Sequence, residues 1–351
     1  MIDMTTSKPY IFDLDLSELE NLLTSWGEPK YRAKQVWQGL YIHLWDHPEQ
    51  FTNLPKPLRK KLAELMEFSR LTAQDFLKSK DGETVKTLFI LPDQNAIEAV
   101  IMHYDERKTL CISSQVGCAM GCVFCATGQM GFKRNLSSGE IIEQVIYYAR
   151  QLRQSGDSVT NVVLMGMGEP FHNYEAVMRA IEQLNHPEGL HLGARRFTIS
   201  TVGIIPAIRR FTAEQRQINL AISLHSVTDE QRSAIIPVNR KYPVAELIAA
   251  CRDYTAQTRR RITFEWALIE GVNDTPQIAG ELGALLRGIL CHVNVIPLNP
   301  THKYRGKGST RERAEAFKTA LEKAGIPCTV RMRRGIDIQA GCGQLAALSN
   351  G

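Results

Sequence analysis

The stretch CISSQVGCAMGCVFCATG, residues 111 to 128, holds four of the eight cysteines of this 351-residue chain. Three of them, Cys118, Cys122 and Cys125, follow the spacing C-x3-C-x2-C in a glycine-containing loop after the apolar run KTLCIS. Three thiolates this close together suit a structural zinc ion or an iron–sulfur cluster. Because no paired cysteine or histidine supplies an obvious fourth zinc ligand, the spacing favours a cluster with one open iron.

From this loop onward, short apolar runs alternate with amphipathic helical patterns, as in NVVLMGMG followed by YEAVMRAIEQL. Repeated strand and helix units with nearly continuous apolar strands predict an α/β fold with a parallel sheet covered by helices. About six full units predict a partial TIM-like barrel over residues 107–351, because a closed barrel needs eight. The cysteine loop would then open at the carboxyl-terminal face of the strands, where barrel enzymes place their chemistry.

Two smaller regions are predicted before the barrel. Residues 1–68 show apolar residues at helical spacing and predict an N-terminal helical accessory domain. Ser17 and Glu20 have the spacing of a capping box at the start of its first helix. Residues 69–106 contain three apolar runs separated by turn signals, and they predict a small antiparallel β meander.

Composition narrows the class of protein. No apolar run approaches the roughly 20 residues that a membrane span needs, and the N-terminus lacks the apolar core of a secretion signal. Clustered cysteines in a chain of this size indicate metal or thiol chemistry in a reducing compartment. We therefore expect a cytoplasmic globular protein without a membrane partner. The formal charge of +5 is compatible with nucleic acid but does not by itself indicate it.

The cysteine spacing after the first strand of a partial (βα)6 barrel, with Phe124 before the last cysteine, resembles the signature of radical S-adenosylmethionine enzymes. The resemblance implies one [4Fe-4S] cluster held by Cys118, Cys122 and Cys125, with S-adenosyl-L-methionine bound to the open iron. It also implies cofactor contacts at the ends of later strands. The matching residues are Gly168 and Glu169 in GMGEP, Ser200 in TISTVG, Ser223, Leu224 and His225 in AISLH, and Asn299 in PLNP.

The resemblance extends over nearly the whole chain. The segments YRAKQVW, GFKRNL, FTISTVGI, PVNRKYP and GCGQL are similar to those of the dual-specificity methyltransferases that modify adenosine C2 in 23S ribosomal RNA and tRNA. Two departures are visible: Phe171-His172 stands where a leucine-rich pair is expected, and Gly341 stands where many members have alanine. Neither departure changes a thiol or a carboxylate.

This resemblance also implies a mechanism. Adenine C2 is electron-poor and cannot displace a methyl group as a nucleophile, so a radical route is required. Cys342 would take a methyl group from one cofactor molecule, and a second molecule would supply the radical, so that two are consumed per methylation. The methylated Cys342 would then join C2 in a transient protein–RNA adduct. Cys111 matches the cysteine that resolves this adduct through a disulfide with Cys342, and Glu98 matches the glutamate that accepts the C2 proton.

Basic clusters near predicted loop ends would supply phosphate contacts to RNA, although each alone is typical of a solvated face. They are Arg195-Arg196, Arg209-Arg210, Arg259 to Arg261, Lys303 with Arg305 and Lys307, and Arg331 with Arg333 and Arg334. The target base would have to leave its stack to reach a buried cluster. We expect 23S rRNA and tRNA as partners, a one-electron reductant such as flavodoxin, and a monomeric chain.

Three alternatives remain open from the residues. The sister family that methylates adenine C8 shares the cysteine framework, but we expect a cysteine there at the position of Val116, so C2 is favoured. A zinc-stabilised RNA-binding module without catalysis would use the three-cysteine loop as a structural site. A thiol oxidoreductase would use Cys111 and Cys342 and would not need the other three cysteines.

Overall fold

The computed structural model describes residues 8–301, 303–331 and 334–346. Its elements are helices first, an antiparallel group of strands next, and alternating strands and helices last. This confirms the α/β fold with a partial barrel, an N-terminal helical part and a small antiparallel extension. Within the three described ranges, no helix is both long enough and apolar enough to cross a membrane.

Helices α1 (Leu16–Ser25), α2 (Tyr31–Tyr41) and α3 (Lys56–Leu65) form the N-terminal part. The Asp15 carboxylate accepts a hydrogen bond from the Glu18 amide at 2.8 Å, and the Glu18 carboxylate accepts one from the Asp15 amide at 2.9 Å. The capping box predicted at Ser17 and Glu20 is therefore wrong by two residues. Asp15 is itself a strong cap with a glutamate three positions later, which places Ser17 inside the first turn.

Strands β1 (Thr72–Lys78), β2 (Thr84–Ile90) and β3 (Ala96–His103) pair antiparallel in sequence order, as their turn signals predict. Strand β3 continues antiparallel to β4 (Lys108–Cys111), with Val100 opposite Cys111. The antiparallel strands therefore extend the edge of the main sheet, and they bring β3 beside the first strand of the barrel.

The chain then alternates between strands and helices. The remaining elements are β5 (Gln115–Gly117), α4 (Ala126–Gln129), β6 (Phe132–Asn135), α5 (Ser138–Gln154), β7 (Asn161–Leu164), α6 (Tyr174–Asn185), β8 (Phe197–Thr201), α7 (Ile205–Ala213), β9 (Asn219–Ser223), α8 (Asp229–Ile235), α9 (Val244–Thr258), β10 (Ile262–Leu268), α10 (Pro276–Leu286), β11 (Cys291–Pro297), α11 (Arg311–Lys323) and β12 (Cys328–Val330). Strands β4 and β7 to β12 pair in parallel in sequence order. In the described ranges β12 pairs with β11 alone, so the barrel stays open beside β4.

The cysteine loop is inserted within a two-stranded hairpin that the sequence did not predict. Strands β5 and β6 flank the loop and pair antiparallel, with Gln115 opposite Asn135. The two strands have three and four residues, too few to show an alternating pattern. The hairpin nevertheless fixes both ends of the loop at the mouth of the barrel.

The N-terminal part docks on the two barrel helices α5 and α6. The Tyr10 hydroxyl donates a hydrogen bond to the Glu143 carboxylate, and the Tyr41 hydroxyl donates one to Gln183 Oε1 at 2.8 Å. A Cβ on Gly139 would lie 2.4 Å from the Tyr10 ring, so glycine permits the close approach of α5. These buried contacts join the N-terminal helices firmly to the barrel.

Candidate active site

A cavity opens at the carboxyl-terminal ends of the parallel strands and encloses about 1020 Å³, its mouth included. Ten of the predicted site residues line it: Cys118, Cys122, Cys125, Gly168, Glu169, Ser200, Ser223, His225, Asn299 and Cys342. Leu224, Cys111 and Glu98 are described by the structure but do not belong to this lining. Its lining combines apolar side chains with a few convergent polar groups, as is usual for sites that bind cofactors and other small molecules.

The cysteine loop is closed at its base by a tight backbone approach. Gly117 has a φ of +72°, and a Cβ there would lie 1.9 Å from the Gly131 carbonyl oxygen, so only glycine fits. The Cys118 amide donates a hydrogen bond to the same carbonyl at 2.9 Å. Further along, the Val123 amide donates to the Ile235 carbonyl at 3.0 Å, so that the loop rests on the end of α8. The loop conformation is therefore fixed by the chain itself.

The three thiols of the loop are suitable ligands for an iron–sulfur cluster. Cys118 and Cys122 are buried. Burial raises the pKa of the Cys118 thiol to about 12 and holds the pKa of the Cys122 thiol well above its usual range. Such thiols become thiolates only beside a compensating positive charge such as a metal. In the part of the chain that the structure describes, no three Cys, His, Asp or Glu side chains converge to hold one metal ion. A cluster does not need that convergence, because its thiolates bind different irons.

Gly168 and Glu169 form the turn that follows β7. Gly168 has a φ of +107°, and a Cβ there would lie 2.6 Å from the Gln115 Cβ. The buried Glu169 carboxylate accepts hydrogen bonds from the Phe171 and Val202 amides, both at 2.9 Å. Burial raises the pKa of Glu169 to about 7. The two amides fix the direction of this carboxylate at the cavity wall, where a cationic ligand group would favour its charged form.

The ends of β8 and β9 supply two hydroxyls and one imidazole. The Ser200 and Ser223 hydroxyl oxygens lie 3.5 Å apart. His225 accepts a hydrogen bond at Nδ1 from the Ala267 amide at 2.9 Å, and burial lowers the pKa of its ring to about 3. The ring is therefore neutral and carries its proton on Nε2. Leu224 has its side chain in the core, so any ligand contact from it would have to use the backbone.

The segment that carries Cys342 is tied to the cysteine loop and to the end of β11. The Asn299 side chain donates a hydrogen bond to the Cys342 carbonyl at 3.1 Å, and the Ala126 amide donates to the Gly343 carbonyl at 2.7 Å. Cys342 is exposed and lines the cavity. The other Asn299 side-chain atom, Oδ1, is buried and has no hydrogen-bond partner among the described residues. Cys342 and the cysteine loop thus share one cavity.

Glu98 and Cys111 lie on β3 and β4. Cys111 is partly exposed, and burial together with the neighbouring Cys342 raises the pKa of its thiol to about 12. The Glu98 carboxylate is buried, lies 2.8 Å from Lys86 Nζ, and accepts a hydrogen bond from the Ala346 amide at 2.9 Å. Glu98 is therefore a buried charged residue of β3 that is paired with a cation.

Two charged residues of the site were missed from the sequence. The fully buried Arg232 donates hydrogen bonds to the carbonyls of Val202 and Leu224, which joins the ends of β8 and β9, and its charge partly offsets the burial that raises the pKa of Cys122. Glu265 lines the cavity from the middle of β10. A charged residue inside the otherwise apolar run ITFEWAL, residues 262–268, was the available signal for Glu265.

Some basic residues that were predicted to contact RNA are engaged within the chain. Arg210 forms an ion pair with Glu175, and Arg334 forms one with Glu83. Arg333 lies outside the described residues. Exposed ion pairs of this kind contribute little to stability and leave the side chains near solvent. The structure therefore does not single out one basic cluster as an RNA contact.

Two protein-family models match this chain, one in the barrel and one in the N-terminal helical part. The model of the Radical SAM superfamily matches residues 112–279, and that of the ribosomal RNA large subunit methyltransferase N-terminal domain matches residues 10–68. The chain is 49% identical over 347 residues to the probable dual-specificity RNA methyltransferase RlmN of Chloroflexus aurantiacus, which covers 96% of this chain and 92% of that protein. It is 49% identical over 337 residues to the dual-specificity RNA methyltransferase RlmN 1 of Myxococcus xanthus, covering 96% and 94%.

A solved structure is similar throughout. The crystal structure of a radical SAM methyltransferase from Sphaerobacter thermophilus is 50% identical, with a TM-score of 0.95, and the match covers 97% of this chain and 100% of that one. The superfamily match implies a [4Fe-4S] cluster and S-adenosylmethionine as cofactors, which agrees with the donor set of the cavity. The chain belongs to the dual-specificity RNA methyltransferase family of the radical SAM superfamily.

Proposed function

We propose that this chain methylates carbon 2 of a specific adenosine in 23S rRNA and in tRNA. The names of its relatives, which are dual-specificity RNA methyltransferases, support the class of substrate and the transferred group. One observation carries the proposal: Cys342 lines the same cavity as the three cysteines of the loop. A thiol in that place can take up a methyl group from a bound cofactor and present it to a base.

Different residues of the cavity lining would bind the cluster and different parts of S-adenosylmethionine. Cys118, Cys122 and Cys125 would hold the cluster, and Gly168 with Glu169 would receive the amino group of S-adenosylmethionine. The other proposed contacts are Ser200, Ser223, Leu224, His225 and Asn299. When bound, the cluster and the cofactor supply the one-electron chemistry that cleaves a sulfonium and removes a hydrogen atom from a methyl group. Glu169 is oriented by two amides, so it can accept a cationic amine without rearrangement.

Cys342 would carry the methyl group. Its thiol would lose a proton, attack the methyl carbon of one cofactor molecule and become S-methylcysteine, with S-adenosylhomocysteine leaving. Although the residue is exposed, desolvation of its thiol at the cavity wall raises the pKa of Cys342, whereas the nearby Arg331 guanidinium lowers it and thus favours the thiolate. After loss of a hydrogen atom, the carbon on the Cys342 sulfur would add to adenine C2 and join the protein to the RNA.

Glu98 and Cys111 would separate the protein from the RNA. Glu98 would accept the C2 proton while one electron leaves the radical adduct for a one-electron acceptor such as the oxidised cluster, and the Cys111 thiolate would then attack the Cys342 sulfur. A disulfide would form, the bond between sulfur and the methylene carbon would break, and that carbon would take up a proton to become the new methyl group. The influence of Cys342 on the pKa of Cys111 supports their closeness. A thiol reductant would then restore both cysteines.

The proposal extends to the domains and partners. Residues 1–68 would form an accessory domain that contacts RNA, residues 69–106 a small antiparallel meander, and residues 107–351 the catalytic barrel with the Cys342 segment. A flipped target base would reach the cavity. A one-electron reductant such as flavodoxin would serve a monomeric chain in the cytoplasm, where the eight free cysteines would stay reduced.

Mapping the methylated nucleoside tests the proposed function. The anaerobically purified protein is incubated with S-adenosylmethionine, a reductant and rRNA or tRNA, and the RNA is digested for mass spectrometry. We expect 2-methyladenosine. If 8-methyladenosine were found instead, the proposed position would be wrong and the sister family's activity would apply.

Iron, sulfide and zinc contents of the same preparation test the metal centre. We expect iron and sulfide, and a colourless protein that carries zinc would instead indicate a structural RNA-binding module. The variant Cys125→Ala should lose the iron. Its control, Cys251→Ala, removes a thiol that is fully buried in the core and should retain the iron.

A further inference from the structure

Glu265 is a buried carboxylate on the cavity wall that none of the proposed steps uses. Its residue is 6% exposed, and its side chain lines the cavity from the middle of β10. The Oε1 atom accepts a hydrogen bond from Asn294 Nδ2 at 2.9 Å. The Oε2 atom is buried and has no hydrogen-bond partner among the described residues. Because an unsatisfied buried carboxylate oxygen is costly, this atom indicates a donor that arrives with a ligand.

The neighbours of Glu265 belong to two parts of the proposed site, the cofactor contacts and the segment that carries Cys342. Strand pairing sets it opposite Ser223 on β9 and opposite Asn294 on β11. Its charge also reaches the Cys342 segment, because Glu265 raises the pKa of the Cys342 thiol. Glu265 therefore lies beside Ser223, one of the proposed cofactor contacts, and lines the same cavity as Cys342, the proposed methyl carrier.

Several neighbouring groups influence the ionisation and the hydrogen bonding of the Glu265 carboxylate. Burial raises the pKa of the Glu265 carboxyl, whereas Arg331 and the hydrogen bond from Asn294 lower it. Ala267 and Ile296, which line the cavity on β10 and β11, have no donor in their side chains. Although Ser223 and Arg331 lie nearby, the Glu265 Oε2 atom accepts no hydrogen bond from the described residues, and Asn294 fixes the direction of the carboxylate.

We infer that Glu265 is a ligand-contacting residue whose free carboxylate oxygen accepts a hydrogen bond from an adenosine bound in the cavity. This inference rests on the proposed function, which brings two adenosines to the cavity, one in the cofactor and one in the target RNA. Both offer the same donors, the adenine amino group and the ribose hydroxyls. Because the carboxylate is oriented before binding, the contact adds direction as well as affinity.

The variant Glu265→Gln tests the inference because it keeps the shape of the side chain and removes the charged acceptor. Two quantities are measured anaerobically on the full chain with its cluster: the Kd of S-adenosylmethionine without RNA, by calorimetry, and the KM of a tRNA substrate at saturating S-adenosylmethionine. A Kd raised roughly tenfold or more assigns the contact to the cofactor. A KM raised by a similar factor with an unchanged Kd assigns it to the target adenosine. If neither quantity changes, the inference is overturned.

Two further variants keep the test decisive. Glu270→Gln removes an exposed carboxylate two residues beyond β10 and should leave both quantities unchanged; an effect equal to that of Glu265→Gln would overturn the inference. Asn294→Ala keeps the carboxylate but frees Oε1, so it should shift the same quantity by a smaller factor. If Glu265→Gln does not fold, Asn294→Ala carries the test, and unchanged values for it overturn the inference.

Measurements on the wild-type protein distinguish a failure of this inference from a failure of the proposed function. If wild type binds S-adenosylmethionine but makes no 2-methyladenosine, the proposed function fails, while the Kd comparison still tests Glu265. If wild type makes 2-methyladenosine and the Glu265 and Asn294 variants match it in both quantities, the role of Glu265 alone is refuted.

Discussion

Lys86 Nζ lies 2.8 Å from Glu98 Oε1, and both side chains are buried. The same lysine donates a hydrogen bond to the Gln339 carbonyl at 3.4 Å, while Glu98 Oε2 accepts one from the Ala346 amide at 2.9 Å. Strands β2 and β3 are thereby joined to the segment that carries Cys342, although Glu98 and Ala346 lie 248 residues apart in the sequence. The antiparallel strands thus help to position the proposed methyl carrier.

Replacing Lys86 by methionine should strongly destabilise the fold. Lys86→Met breaks the buried ion pair with Glu98, and the loss of such a pair lowers the free energy of unfolding by roughly 3 kcal/mol. Urea unfolding measures the change. Lys60→Met is the control, because the Lys60–Glu64 pair is exposed with its charged atoms 3.8 Å apart, and its loss should cost less than about 1 kcal/mol. Equal, small changes for both variants would show that the buried pair does not support the fold.

Replacing Gly168 by alanine should weaken cofactor binding. The new Cβ would lie 2.6 Å from the Gln115 Cβ, and a φ of +107° is unfavourable for alanine, so the turn before Glu169 must shift. We expect the Kd of S-adenosylmethionine to rise at least tenfold in calorimetry, the equivalent of about 1.4 kcal/mol. In Gly280→Ala the new Cβ, within α10, meets open space, so this control should bind like wild type. A Gly168→Ala protein with wild-type affinity would remove this turn from the cofactor site.

His225 should make stability depend on pH. Burial lowers the pKa of His225 from 6.5 to about 3, so the unfolded chain binds a proton here that the folded chain does not, and stability falls as the pH decreases below 6.5. Between pH 6.5 and pH 5 this loss amounts to roughly 1.5 kcal/mol. His225→Asn, which tolerates the φ of 59° at this position, should reduce the loss by that amount in urea unfolding. The control is His47→Asn, because His47 is exposed, and this variant should show the same dependence of unfolding free energy on pH as wild type. If His225→Asn also showed the wild-type dependence, the prediction would be contradicted.

The fold could be predicted from the sequence because its signals are local and repeated. Each barrel strand is an apolar run followed by a helical pattern, and the cysteine spacing marks the carboxyl-terminal face. Signals that depend on a few residues were less reliable. The hairpin of β5 and β6 is too short to show a period, and two overlapping capping patterns at Asp15 and Ser17 could not be separated without the packing of α1.

Candidate site residues could be predicted where they belong to a sequence motif. They could not be predicted where only the folded chain brings them together. Glu98 and Cys111 are proposed as site residues by resemblance, and no pattern in the sequence indicates that Lys86 forms an ion pair with Glu98. Arg232 occupies a buried position because four acceptors around it satisfy its guanidinium, and those acceptors converge only in the folded chain. Hydrophobic patterns in the sequence cannot indicate such charged residues. These patterns predict which face of a helix or strand is buried, but not which polar groups meet at the ends of the strands.

The variant Cys111→Ala tests the proposed mechanism most directly. Without the Cys111 thiol, the bond between the Cys342 sulfur and the transferred carbon cannot be broken by disulfide formation. Cys328→Ala is the control, because Cys328 is a buried core residue of β12 and should not affect the release. Each variant is expressed with native RNA, purified anaerobically, treated with nuclease and protease, and the peptide that contains Cys342 is weighed by mass spectrometry.

We predict that Cys111→Ala accumulates protein joined covalently to RNA through Cys342, with little 2-methyladenosine released, whereas Cys328→Ala behaves like wild type. Normal formation of 2-methyladenosine by Cys111→Ala, with no adduct on Cys342, would contradict the mechanism.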